Sequence, residues 1–173
     1  TRIASILQNP KHLPLVYALL FGMPGIPCIY YGSEWGAEGE KHQGDDALRP
    51  SFEAPTWNEL TDWIAALAKA HKESKALCYG DFKQVVLTNK QCIWERIFED
   101  ERVLVAVNID EQPYTAHFDA KCGMAVDLIT GKPHDFGGGS ELPPYSAYFW
   151  NANAELLTRK RKTPDCIEAA RGF

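Results

Sequence analysis

Apolar positions near the start of the chain fall first into helical spacing and then into a continuous run. Ile3, Ile6 and Leu7 share one helical face, which Asn9-Pro10 interrupts. Pro14 suits the first turn of a second helix, where its missing N–H costs little. That helix carries Leu15, Val16, Leu19 and Leu20 and is apolar nearly all round. Pro24-Gly25 ends it. Ile26, Cys28, Ile29, Tyr30 and Tyr31 then form a run too short for a stable helix, which predicts one strand covered on both faces, as in a parallel sheet. Gly32 closes the run, and a polar loop follows at the end of the strand where ligands bind in parallel α/β folds and barrels.

Residues 36 to 55 form that loop, punctuated by Gly36, Gly39, Gly44, Pro50 and Pro55. A loop of this length in a compact domain is usually functional or disordered. Thr56-Trp57-Asn58-Glu59 reads as a capping box, the Thr56 hydroxyl and the Glu59 carboxylate satisfying early N–H groups. The spacing predicts a helix from there to about Ala76, with Leu60, Ile64, Leu67 and Ala68 on its apolar face and Trp57 and Trp63 at its margins. From Cys78 the period changes to two. Strands are predicted over 82–88, 92–98, 103–109, 114–118, 125–129 and 145–150, with Asp100-Glu101 as a tight turn. Regular short strands of this kind indicate an antiparallel sandwich. The helix–strand–loop–helix portion fits either the closing segment of a (β/α) barrel or a small isolated α/β motif.

Composition narrows the class. The 173 residues permit one domain or two small ones, and 45% hydrophobic with 24% charged residues is ordinary for a soluble globular protein. A net charge of -5 offers no electrostatic case for nucleic acid or an anionic membrane, and no apolar run is long enough to span a bilayer. The chain reads as beginning mid-protein, so a missing leader at Thr1 says little about location. Five scattered cysteines, Cys28, Cys78, Cys92, Cys122 and Cys166, argue against a disulfide framework and against zinc; buried small hydrophobes fit better, and a reducing, cytoplasmic compartment is favoured without being fixed. The five histidines stand near no Ser or Cys nucleophile motif, no calcium loop is visible, and no cofactor is implied.

Gly25-Ile26-Pro27-Cys28-Ile29-Tyr30-Tyr31-Gly32-Ser33-Glu34-Trp35-Gly36 resembles the eighth-strand motif of the α-amylase family of glycoside hydrolases. Thr1-Arg2-Ile3 resembles the segment after that family's seventh-strand His-Asp motif. Arg49-Pro50 sits where many members carry an Asp-x-x-x-Arg-Pro loop. Asp127 to Lys132 and Leu142 to Ala147 resemble two strands of the family's C-terminal β-domain. The resemblance covers about residues 1 to 150, and the neopullulanase and cyclomaltodextrinase branch is the nearest match of motif. It implies an α+β chain: residues 1–77 as the last helix–strand–helix of a catalytic (β/α)8 barrel, 78–150 as an antiparallel β-sandwich, and 151–173 as a tail of unknown role. In that tail Arg159-Lys160-Arg161-Lys162 reads as a solvated, mobile basic run.

Retaining glycosidases need a nucleophile and an acid carboxylate on one anomeric carbon. The resemblance places all the family's catalytic carboxylates before Thr1, so no catalytic residue and no metal ligand is assigned. The implied partner is a maltodextrin or related α-glucan. Arg49 is the expected sugar contact, since a guanidinium donates paired hydrogen bonds to vicinal hydroxyls; an Arg49–Asp salt bridge that only shapes the loop is the alternative. Asp45 and Asp46 are expected to hold Arg49 or to bind hydroxyls. Tyr31 and Glu34 stand at the strand's end, Glu34 more as an organiser of loop N–H groups than as an acid. Trp35 either stacks on a sugar or packs. The rival functions are a carbohydrate-binding sandwich module and a non-catalytic amylase-like scaffold working through protein contacts. Self-association is expected, because the strand 26–31 and the apolar helix before it lack their barrel neighbours.

Overall fold

The computed structural model describes residues 1–153; the basic run Arg159–Lys162 lies outside the described residues. Helix α1 (Ile3–Ile6) is followed by a single 3-10 turn over Pro10–His12 and by α2 (Leu13–Gly22), with a proline in its first turn as expected. Further 3-10 turns lie at Ser33–Trp35 and, in the long loop, at Lys41–Gln43, followed by the short α3 (Asp45–Leu48). Then come α4 (Glu59–Glu73) and α5 (Lys75–Tyr79). Helix α4 is capped by Asn58 and not by Thr56: Asn58 Oδ1 accepts from the Thr61 N–H at 3.1 Å, and Thr61 Oγ1 accepts from the Asn58 N–H at 3.3 Å. The box is shifted by two residues because Asn58, in extended conformation, has the side chain that reaches the third helical N–H. The expected single helix to Ala76 is broken at Ser74, whose hydroxyl caps α5 by accepting from the Leu77 N–H at 3.1 Å.

Eight strands follow: β1 (Asp81–Leu87), β2 (Gln91–Phe98), β3 (Glu101–Asn108), β4 (Tyr114–Ala116), β5 (Met124–Asp127), β6 (Pro133–Asp135), β7 (Ser140–Leu142) and β8 (Ser146–Asn151). They form a six-stranded sheet in the order β1-β2-β3-β8-β5-β6, with β4 and β7 paired separately; every pairing is antiparallel. Strands β6 and β7 are too short to be read from periodicity. The β2–β3 turn sits one residue earlier than expected, at Glu99-Asp100, with Glu99 left-handed at φ 53.

Alternation in β2, β3 and β8 sorts side chains to two buried faces rather than one buried and one wet. Trp94, Val103, Val105, Val107 and Phe149 pack with Leu15, Ala18 and Phe21 of α2 and with Ile64, Leu67 and Leu77 of α4 and α5. Ile93, Leu104, Ala106 and Trp150 pack on the other side with Ala116 and Leu142 of the β4–β7 pair. The result is three layers: helices, six-stranded sheet, and the β4–β7 pair. Glu95, on the second face, is only 3% exposed and is paired with Arg102 at 2.7 Å and Lys83 at 3.3 Å. Helix α2 finds most of its cover inside this chain: Leu15, Tyr17, Ala18 and Phe21 are buried, while Val16, Leu19 and Leu20 stay half-buried on the surface expected to lose some of its cover.

The segment Ile26–Tyr31 does differ from expectation. It forms no strand, and most of it is not buried: Ile26 is 95% exposed, while Ile29 is half-buried against the core. Among the described residues every strand is engaged in one of the two sheets, so none lies alongside to complete its ladder. Its apolar composition records what it is built to be covered by, and a strand needs a neighbour to donate and accept its backbone hydrogen bonds.

Candidate functional site

The site is the turn that follows this extended segment, together with the loop it touches. Gly32 is left-handed at φ 81 and starts a 3-10 turn over Ser33–Trp35. Four carbonyls of the turn are each held by a side chain from elsewhere. Arg2 Nη1 donates to Tyr31 O at 2.8 Å and the Tyr17 hydroxyl to Ser33 O at 2.8 Å. Thr61 Oγ1 donates to Glu34 O and Asn58 Nδ2 to Trp35 O, both at 3.0 Å. Helices α2 and α4 thus fix the turn through residues at a face and a cap. Burial pushes the Tyr17 phenol above its ordinary pKa, so it stays a neutral donor at physiological pH.

An aromatic cluster stands on this turn. Phe52 meets Tyr31 edge-on at 5.9 Å and Trp35 edge-on at 5.1 Å, and Tyr30 lies 4.7 Å from Tyr31. A Cβ on Gly32 would come within 2.7 Å of the Phe52 ring, so a glycine is needed here for space as well as for its backbone angle. The Tyr31 hydroxyl donates to Pro50 O at 3.2 Å. Tyr31, Trp35, Arg49, Phe52 and Glu53 line one open cavity of about 560 Å3. Arg49 also borders a second cavity of about 550 Å3 on the other side, lined by Arg2, Tyr17, Leu20, Ile29 and Tyr30.

Three of the six residues singled out from the sequence, Tyr31, Trp35 and Arg49, are brought together on the open cavity. Asp45 and Asp46 are not: they are exposed on the first turn of α3, and only their backbone oxygens meet Arg49, accepting its N–H at 3.0 and 3.3 Å. Among the described residues no ion pair joins Arg49 to either carboxylate; the intervening helical turn points their side chains elsewhere. Glu34 does not organise loop N–H groups either. Its Oε2 is buried without a hydrogen-bond partner, and the N–H groups of Ser33, Gly36 and Ala37 donate instead to the carbonyls of Tyr30, Ser33 and Gly32. Phe52 and Arg2 were not anticipated as site residues. An aromatic two positions after Arg49-Pro50 in an otherwise polar loop was the available signal for Phe52; nothing in the spacing pointed to Arg2.

An exposed guanidinium beside three aromatic rings is suited to a neutral polyhydroxylated ligand: hydrogen bonds from Arg49, apolar contact from the rings. Among the described residues on the open cavity, Glu53 is the one carboxylate, and the second cavity has none. Neither cavity therefore presents the carboxylate pair that glycoside hydrolysis requires.

No protein-family model matches the chain. It is similar to the cyclomaltodextrin glucanotransferase of Niallia circulans, at 30% identity over 138 residues, covering 80% of this chain and 18% of that protein. The corresponding enzyme of Bacillus sp. (strain 38-2) is 34% identical over 134 residues, 76% of this chain and 18% of that protein. Among solved structures, an Anoxybacillus α-amylase superposes with a TM-score of 0.73 at 25% identity, over 84% of this chain and 33% of that one. A maltogenic amylase from S. marinus gives 0.70 at 26% identity, over 88% and 21%. The chain is thus homologous, over most of its length, to enzymes of the α-amylase family, and its mixed α+β architecture aligns with part of theirs. It spans about a fifth of the length of these curated relatives.

Proposed function

We propose that this chain is the C-terminal portion of a retaining α-amylase-family glycoside hydrolase that cleaves α-glucosidic bonds of maltodextrins or related α-glucans. Residues 1–77 are its last barrel segment and 78–150 its β-domain. The observation that carries this reading is the alignment of 80% of this chain with only 18% of a cyclomaltodextrin glucanotransferase. The bare, apolar Ile26–Tyr31 segment supports it, since a barrel would supply the missing neighbours. In this reading Arg49 and the Tyr31–Trp35–Phe52 cluster form the rim of the sugar site, and the nucleophile and acid lie before Thr1. The chain by itself is not a catalyst.

Within the family, the Gly25–Gly36 motif resembles that of the neopullulanase and cyclomaltodextrinase branch, while the relatives above are cyclomaltodextrin glucanotransferases, so the motif does not decide between hydrolysis and transglycosylation. Cyclodextrin and maltotriose hydrolysis by the full gene product, with glucose and maltose as products, is the expected behaviour. In that protein Arg49→Ala should lower kcat/KM by about tenfold to a hundredfold, the loss of a charged hydrogen bond to sugar. The purified 173-residue chain should release no reducing sugar. Release above a mock preparation would overturn the assignment of the catalytic groups; unchanged kinetics in Arg49→Ala would remove Arg49 from the rim.

A further inference from the structure

Arg49 carries an exposed side chain with no ion pair among the described residues, so the contacts that fix its position act on its backbone. The carbonyls on either side of it are both held. Leu48 O accepts from Arg2 Nε at 3.1 Å, and Pro50 O accepts from the Tyr31 hydroxyl at 3.2 Å. The same Arg2 guanidinium donates through Nη1 to Tyr31 O at 2.8 Å. One side chain therefore ties the loop carrying Arg49 to the segment carrying Tyr31, and Tyr31 ties back to the loop one residue further on. The Arg2 guanidinium also lies 5.1 and 5.3 Å from the Tyr30 and Tyr31 ring centroids, and the Arg2 N–H donates to Gly39 O at 2.8 Å.

Arg2 is only 5% exposed, and no carboxylate pairs with it among the described residues. Its Nη2 is buried with no partner at all. A buried cation held by two carbonyls and the Ser33 hydroxyl, with both Nη2 N–H groups unpaired, is a poor stabilising device; an apolar side chain of similar volume commonly does as well or better. What arginine does here, and neither an apolar residue nor lysine can, is donate in one fixed plane to two carbonyls 17 residues apart in sequence, Tyr31 O and Leu48 O. With Nε and Nη1 committed to the two carbonyls and the Ser33 hydroxyl, and Nη2 closed off from solvent, Arg2 acts on the loop through what it holds.

We infer that Arg2 is a positioning residue for Arg49: its buried guanidinium fixes the loop that presents the Arg49 side chain to the sugar. The sugar in this statement rests on the proposed function; the fixing of the loop does not. Two arms test it. In the 173-residue chain, Arg2→Lys should speed amide exchange at Leu48 and Arg49 by about tenfold or more while Trp94 and Val105 in the sheet stay protected, the mark of a local release. In the full gene product acting on maltotriose, Arg2→Lys should lower kcat/KM by about tenfold, and Arg2→Lys with Arg49→Ala should be no worse than Arg49→Ala alone, since residues acting through one another do not add. Unchanged exchange at Leu48 and Arg49, or losses that add in the double variant, would overturn the inference. If the wild-type gene product hydrolyses no α-glucan, the sugar reading falls, and the exchange arm decides whether Arg2 holds the loop.

Discussion

Gly22→Ala should destabilise the protein although it replaces the poorest helix former but one by the best. Gly22 is the last residue of α2, in ordinary helical backbone. In an exposed helix the change would gain about 1 kcal/mol of propensity. Here a methyl at that position would sit 2.8 Å from Trp94 Cζ2, 3.1 Å from Val105 Cγ1 and 3.5 Å from Phe149 Cε1. All three are fully buried sheet residues at the centre of the core, so none has room to retreat. The Gly22 carbonyl also accepts from Trp94 Nε1 at 3.0 Å and Arg96 Nη1 at 3.1 Å, and Arg96, 1% exposed, anchors itself on Gly80 O with its other nitrogens. Lifting the helix end to make room would weaken both bonds. Overpacking costs about 1–3 kcal/mol and a weakened charged hydrogen bond about 1.5–3 more, so after the propensity gain of about 1 kcal/mol a net loss of about 1.5–5 kcal/mol is expected.

Urea unfolding followed by tryptophan fluorescence measures this directly: the midpoint should fall with little change in slope. A midpoint raised above wild type would refute the reasoning. It would mean that the α2–sheet contact yields to a methyl group, and that propensity and not packing governs the helix end.

Acid should destabilise the fold through three groups. Burial first, then the Arg96 charge, holds His71 below its ordinary 6.5, and burial does the same to His134, stacked 4.2 Å from Trp150; their contribution is complete above about pH 6.5 and is lost as pH falls through the lowered native values, because the unfolded state binds the proton first. Burial alone would raise Glu95, but Arg102 and Lys83 hold it below its ordinary 4.5, so its contribution is lost further down in the same direction; thermal midpoints flat from about pH 7 to pH 4 would contradict the histidine part, and midpoints flat from about pH 4.5 to pH 2 the Glu95 part. Asn58→Ala should cost about 1–2 kcal/mol by removing the α4 cap and the bond to Trp35 O, whereas Thr56→Ala should cost nothing measurable; equal urea midpoints for the two would return the cap to Thr56. The bare Ile26–Tyr31 edge should pair with a second copy in the isolated chain, so light scattering should give a mass that rises with concentration; a monomer mass throughout would end that expectation.

Periodicity was a good guide where an element's partner lies within the chain. The two-residue alternation of Val103, Val105 and Val107 placed β3, and the spacing of Ile64 and Leu67 placed the buried face of α4. It did not distinguish a sheet buried on both faces from one wetted on the second, because Glu95 and Arg102 look like surface residues until they are paired with each other. It misjudged Ile26–Tyr31 for the converse reason. An apolar run states a demand for cover, and only the tertiary structure reveals whether the cover is there. The site was half legible. Tyr31, Trp35 and Arg49 stood out by residue type and by the motif they resemble. Arg2, Phe52 and the detachment of Asp45 and Asp46 depend on how a loop folds back over tens of residues, which local pattern does not encode.

Those long-range contacts explain why the site can hold a shape at the end of an uncovered segment. From Met23 to Cys28 the chain is largely exposed, and such a stretch would ordinarily let everything downstream drift. The turn is instead secured from behind. Ser33 O is held by Tyr17 of α2, Glu34 O by Thr61 and Trp35 O by Asn58 at the start of α4, while Tyr31 O is held by Arg2. Helices α2 and α4 are themselves keyed to the sheet, α2 through Trp94 and Arg96 on Gly22 O, α4 through Ile64 and Leu67 in the common core. The rings of Tyr31 and Trp35 and the loop that Phe52 wedges against them thus inherit their position from the β-domain, not from the segment that leads to them. On this account Gly22→Ala, some ten residues upstream of the turn, should loosen it as well as the helix, and exchange at Ser33 and Gly36 should quicken together with that of α2. Quickening in α2 alone, with the turn still protected, would show that Thr61, Asn58 and Arg2 suffice to hold the turn without α2.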